Sequence, residues 1–272
     1  MNEAQKRRIQ IKLESITRRW WFFLLLILLQ FIPSYTSVPI DPSQIGLVIG
    51  EALSNALIYN FQSIFFVFKI IPLVLILAIP FLKNSVTRVF SFYVGISYIL
   101  FAFLQSIGVS ETFGLVIVIT NLTMFLLVAV FWFWEGIAIE NDFSTPRLTP
   151  LKLWVIPFAI VAFWYPINTT AMMPDLNPLG LIANEAGLTF CMMTPVYLAI
   201  LIIFYPNVNL ATFRVTSIIG LIIGFYNFLV NFVWYYDTMF WNGVFHIPLI
   251  VLSIYALILA YREKPLDFND ES

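Results

Sequence analysis

The chain has one cysteine and one histidine among its 272 residues. A single cysteine excludes an internal disulfide. A single histidine excludes paired-histidine haem ligation and the usual histidine-rich zinc sites. Charge is scarce too: 11% of residues are charged, against about 25% in an ordinary soluble domain. The net charge of −1 leaves no basic footprint for nucleic acid. P-loop, dinucleotide fingerprint and H-E-x-x-H are all missing. No cofactor is therefore expected, and an ATP-driven pump would need a second chain.

What fills the chain is apolar. Hydrophobic residues make up 61% and aromatics 18%, more than one soluble core can hide. Eight stretches are near the length of about 20 residues that a helix needs to cross a bilayer. They run over 20–39, 62–82, 88–108, 114–134, 152–171, 185–205, 212–236 and 241–261. Helices are expected because the backbone polar groups of a spanning segment have no water to bond. The alternating ten-residue pattern of a membrane barrel is absent. The expectation is an all-α fold: one helical bundle over 20–261, with a basic tail at 1–19 and a short tail at 262–272.

Charge placement sets an orientation. Of the 14 Lys and Arg, all but Lys69 lie in the N-terminal tail, in every second loop or at the C-terminus. Lys6, Arg7, Arg8, Lys12, Arg18 and Arg19 precede the first span; Lys83, Arg88, Arg147, Lys152 and Arg214 follow even-numbered spans. Basic residues collect on the cytoplasmic side, so both termini are expected there, in an inner or plasma membrane. The first span reads as an uncleaved anchor, because the tail is long and no A-x-A cleavage site follows. Residues 45–82 could hold two spans, but that would put five basic residues outside. Instead Gln44, Glu51, Asn55 and Gln62 fall on one helical face at about 100° per residue. Leu47, Ile49, Leu53 and Ala56 lie opposite. An amphipathic helix at 44–61 on the outer interface, or a short re-entrant piece, is expected. Trp20, Trp21, Trp132 and Trp134 are placed at inner interfaces as anchors. The loop from Glu135 to Thr149 is too short to fold alone.

Polar side chains inside the spans mark the candidate site. At about 1.5 Å per residue, Lys69, Asn121, Asn227, Asn231 and His246 all lie roughly 8–14 Å below the outer face. Glu185 is shallower. The inner halves, such as Leu122–Phe133 and Leu249–Leu259, carry almost nothing ionisable. The expected arrangement is an outward-facing polar pocket above an apolar layer, with Lys69, Asn121, Glu185, Asn227, Asn231 and His246 as ligand-binding residues. A lysine at this depth costs at least about 2.5–3.5 kcal/mol to insert, so something must offset it: Glu51, Glu185, an anionic ligand, or its own reach to the surface. Thr216, Gly220, Gly224, Asn227 and Asn231 form one stripe, and Gly220 and Gly224 allow a close helix approach.

Three functions compete at this stage. A small-solute transporter fits the multi-span pocket and the prolines within spans, which kink helices. A sensor or assembly subunit, with partner subunits unspecified, fits the lack of any strong motif. A membrane-embedded enzyme would rest on Cys191 and His246, both expected about 8–9 Å below the outer face. That pair is similar in outline to the exosortase-like transpeptidases, which use outward-facing Cys, Arg and His. The resemblance stops at those two residues, since no Arg lies in the outer half here.

Overall fold

The computed structural model describes residues 1–263. The remainder of the expected C-terminal tail, including Lys264, lies outside the described residues. The chain is mostly helical: α1 (Glu3–Arg18), α2 (Trp20–Leu28), α3 (Ile45–Ser54), α4 (Phe65–Leu82), α5 (Asn84–Leu100), α6 (Ile119–Ala138), α7 (Val155–Trp164), α8 (Phe190–Phe204), α9 (Leu210–Leu229) and α10 (Tyr236–Arg262). Among the described residues, five helical stretches are long and apolar enough to cross a membrane: Leu57–Leu82, Asn84–Gln105, Ile119–Ala138, Leu210–Trp234 and Tyr236–Arg262. A sixth results if the pair Pro178–Leu188 and Phe190–Phe204, bent by 100°, counts as one span. The other two expected spans are shorter apolar helices, Trp20–Phe31 and Val155–Trp164.

Residue by residue, the reasons are local. Asn2 and Gln5 close a capping box that starts α1, satisfying amides that have no partner in the first turn. Arg19 is extended (φ −78°, ψ 139°) and separates α1 from α2. α8 is apolar all round and buried along its length except at Ile203, so it forms the centre of the bundle. Around it, Phe90, Tyr98, Trp132 and Tyr197 pack ring against ring at 5.9–6.1 Å. α9 lies against α10 where Gly220 and Gly224 remove the side chains. A Cβ on Gly220 would sit 2.4 Å from Ser253 Oγ, and one on Gly224 3.1 Å from Ile250 Cα. The expected close approach at this G-x-x-x-G is therefore present. The rest of the stripe is shared among partners, with Thr216 accepting from Trp132 Nε1 of α6 at 3.1 Å.

Three expectations need correction. First, the fold is not purely helical. β1 (Tyr35–Thr36), β2 (Ile107–Ser110) and β3 (Gly114–Ile117) form an antiparallel sheet in the order β1-β3-β2. β2 and β3 occupy residues expected at span ends. Gly114 makes their turn at φ +67°, where glycine carries no Cβ penalty. A second ribbon pairs β4 (Ile167–Asn168) with β5 (Met173–Pro174).

Second, the helix expected over 44–61 stops at Ser54. Ala56 bridges to Gly108, and Leu57–Ile64 runs on toward α4. Gln62 therefore leaves the face of Glu51. The buried face of α3 is Val48 and Ala52, packed on Phe113, Val116 and Val118, while Leu47 and Leu53 are exposed.

Third, Trp132 is fully buried and Trp134 Nε1 donates to Gln10 Oε1 at 2.7 Å. Of the four expected anchors, Trp20 and Trp21 are exposed. The loop after α6 packs back on the bundle. Phe143 is buried, and the amides of Asp142 and Arg147 donate to Asn207 O and Ile203 O at 2.9 Å.

Candidate functional site

Two buried polar groups lie at opposite ends of the bundle. At the sheet end, the organising feature is the end of α7. This ten-residue helix stops at Trp164, and Tyr165 turns left-handed at φ +50°. The last carbonyls of a helix lack internal partners and carry its negative dipole end. Here side chains satisfy them. Lys69 Nζ, from α4, donates to Phe163 O and stands 4.2 Å above the Phe163 ring. Asn184 Nδ2 donates to Trp164 O at 2.8 Å. The Lys69 side chain is fully buried. An ammonium over an aromatic face is itself attracted, so helix end and ring together offset part of the burial cost.

Asn184 also caps the 3₁₀ turn Glu185–Leu188 by accepting from Ala186 N at 3.1 Å. That turn leans on α4 so closely that a Cβ on Gly187 would lie 2.4 Å from Phe68 O. It holds Glu185 within electrostatic reach of Lys69, with no ion-pair contact between them. Glu51, the other proposed counter-charge, instead accepts from Ser110 Oγ on β2.

A chain of amides continues from Tyr165. Its hydroxyl donates to Asn242 Oδ1 at 2.8 Å, Asn242 Nδ2 donates to Asn231 Oδ1 at 2.7 Å, and Asn231 Nδ2 donates to Asn227 O at 2.7 Å. Asn227 Nδ2 reaches Cys191 Sγ at 3.5 Å. His246 Nδ1 lies 2.7 Å from Asn242 O. A carbonyl only accepts, so Nδ1 carries the hydrogen. The His246 ring stands edge-on to Tyr165 at 5.9 Å.

Of the six residues expected to line a pocket, Asn227, Asn231 and His246 thus join one network through Asn242. Lys69 and Glu185 lie near the adjoining end of α7 without touching. Asn121 does not join. It lies on the first turn of α6, and no hydrogen bond links it to the others. Its expected depth shrinks because the β2–β3 hairpin takes the residues before Ile119. Cys191 and His246 bond to different partners and not to each other. The expected open pocket is not formed around these residues, since Lys69 and Asn231 are buried. Shallow clefts of about 390 and 300 Å³ lie nearby, the first lined by Met172, Asp237 and Trp241 among others, the second by Asn55, Tyr59 and Asn60. Neither includes a predicted residue.

Asn242 and Tyr165 were not singled out by the sequence. Asn242 follows Trp241 at an expected span end, where polar residues are ordinary. Two π-helical turns, Phe101–Gln105 and Val230–Trp234, also lie at this end. Such turns recur at functional positions. One presents Gln105 Oε1 to the Phe190 amide at 2.9 Å. The other carries Asn231.

The opposite end corrects the expected asymmetry. Gln10, Glu14, Glu135, Asn141, Asn209 and Arg214 are all buried there. Asn209 is the hub. Its Nδ2 donates to Glu135 Oε2 at 2.8 Å and to Gln10 Oε1 at 3.1 Å, and its Oδ1 accepts from Gln10 Nε2 and Thr212 N. Glu135 Oε1 accepts from Asn141 N at 2.9 Å. Arg214 Nε and a terminal nitrogen donate to Ala260 O and Glu14 O at 3.0 and 3.1 Å. Glu135 and Arg214 are thus inside the packing rather than at a wet rim. Just outside, burial pushes the Glu140 carboxyl above its usual range, and the nearby Glu14 carboxylate adds to this.

No protein family, characterised protein or solved structure matches this chain. Function must be argued from the site itself. The sheet-end network offers amide donors and acceptors, one ammonium, one carboxylate and one imidazole. It offers no activated nucleophile, because Cys191 is buried against Asn227.

Proposed function

We propose that this chain is a multi-pass protein of the inner or plasma membrane that binds and transports a small solute. In this reading all eight apolar stretches cross, both termini are cytoplasmic and the sheet end faces outward. α2 and α7 are then half-helices completed by extended chain. The alternation of basic residues supports the orientation. The observation that carries the solute site is the broken helix α7, whose last carbonyls end at a buried ammonium inside the bundle. Irregular backbone at membrane depth is tolerated where it is buried in protein or lines a cavity. Discontinuous helix ends of this kind form the binding sites of many secondary transporters.

Solute would enter from the sheet end and exchange hydrogen bonds with Asn227, Asn231, His246, Lys69 and Glu185. Lys69 would attract an anionic group or carry a coupling proton. The buried network in the structure corresponds to a closed state. Alternating access requires an open one as well.

The test is uptake of a panel of amino acids, organic anions and sugars into proteoliposomes. Lys69→Ala and Asn231→Ala should each abolish uptake of the solute that the wild type accepts. Wild-type uptake by both variants for every solute would end the proposal. The competing assembly-subunit reading predicts recovery of an intact partner complex from mild detergent.

A further inference from the structure

We propose that α1 is an interfacial helix whose outer face binds the phosphate groups of anionic phospholipids. This rests on the membrane reading but not on the solute site, and its test leaves that site untouched. α1 presents three distinct strips. Gln10, Glu14 and Thr17 are buried against the bundle. Gln10 bonds Asn209, and Glu14 O accepts from Arg214. Thr17 O accepts from the Tyr261 hydroxyl at 3.1 Å. The helix is therefore fastened to α9 and α10 and is not a free tail.

Turning around the helix at about 100° per residue, Ile9, Leu13 and Ile16 form an apolar strip, of which Leu13 and Ile16 pack on the bundle core and Ile9 is exposed. Arg8 and Lys12 come next, about 40° apart, and Arg19 follows at the C-cap of the helix. All three are exposed, and among the described residues none of their side chains has a hydrogen bond or ion pair. Other cations of the tail are engaged: Lys6 pairs with Glu3, and Arg18 donates to Glu263 O and Tyr261 O.

Position completes the argument. α1 leads directly into the apolar helix α2, and the first residues of α2 are Trp20, 75% exposed, and Trp21, 41% exposed. Indoles favour the headgroup level, which sets α1 at that level too. A helix fastened at that level with exposed cations on its outer face meets the anionic headgroup surface, which attracts juxtamembrane Lys and Arg. Opposite charge selects the occupant: phosphatidylglycerol or a similar anionic headgroup.

The full-length protein would be reconstituted in phosphatidylcholine containing spin-labelled phosphatidylglycerol or spin-labelled phosphatidylcholine, and the relative association of the two measured. The wild type should prefer phosphatidylglycerol. Each juxtamembrane cation contributes about fivefold at low salt, so R8Q/K12Q/R19Q should bring the preference at this site close to unity. Raised salt should weaken the wild-type preference in the same direction. A triple variant with wild-type unfolding temperature and unchanged preference would overturn the proposal. If that variant does not fold, a wild-type preference indifferent to salt would overturn it equally. So would capture of an acidic peptide by this face with no lipid preference.

Discussion

Gly187 is the joint on which the closure around Lys69 depends. Its missing side chain lets the turn Glu185–Leu188 rest on the main chain of α4. A Cβ there would lie 2.4 Å from Phe68 O, 2.7 Å from Phe68 C and 3.2 Å from Lys69 N. Contacts under 3.0 Å do not occur for real Cβ atoms, and ordinary contact begins near 3.4 Å. Gly187→Ala must therefore move the turn from α4 by about 1 Å. The obstacle is helix backbone, which cannot rotate away as a side chain can. Overpacking of this kind costs about 1–3 kcal/mol, and the rigid obstacle places this case toward the upper end.

Equilibrium unfolding in detergent micelles measures the cost. Gly46 and Gly50 supply the control, because nothing lies within 4 Å of a Cβ at either position in α3. Alanine there removes the entropic penalty of a helical glycine and should stabilise by about 0.5–1 kcal/mol. The two sites should thus shift stability in opposite directions. Gly187→Ala should also weaken any solute response, since the turn carries Asn184 and Glu185. A Gly187→Ala protein as stable as wild type would refute the packing argument.

Further outcomes follow from named contacts. Asn209→Ala removes the N-cap of α9 and one donor to the buried Glu135 carboxylate, costing about 2–4 kcal/mol in the same unfolding assay. Gly224→Leu forces α9 from Ile250 and should lower the unfolding temperature more than Gly224→Ala, because the larger side chain cannot fit a 3.1 Å gap. The raised pKa of Glu140 penalises the folded state when that group is ionised. The penalty is absent below the unfolded value of about 4.3 and complete above the folded one. Glu140→Gln should therefore stabilise at neutral pH and have no effect near pH 4, as a stability–pH profile of both proteins would show.

The apolar runs were legible as helices, and the pairing of α9 with α10 was legible in Gly220 and Gly224. Span length was not. α7 ends at Trp164 because Pro166 follows and the Asn184 and Lys69 side chains satisfy its carbonyls, a tertiary effect no local pattern announces. The β2–β3 hairpin was hidden because Ile107–Ser110 and Gly114–Ile117 extend flanking apolar runs. The turn residues Ser110-Glu-Thr-Phe-Gly114 were the available clue.

Lys69 was conspicuous as a lone charge, yet its partner is a backbone carbonyl, invisible to residue typing. In α1, Gln10, Glu14 and Thr17 recur at helical spacing, but the surrounding basic residues suggested a solvated tail. Asn209 with Thr212 three residues later reads as an N-cap. Nothing local shows that its other contacts are Gln10 and Glu135, more than 70 residues away.

The most direct test of the solute site is the sidedness of access to position 69. Lys69→Cys in a Cys191→Ala background would be treated with an impermeant thiol reagent from either side of sealed, oriented vesicles. The account predicts labelling from the exterior, slowed by a transported solute. Labelling from the cytoplasmic side alone, or equal labelling with and without that solute, would contradict it.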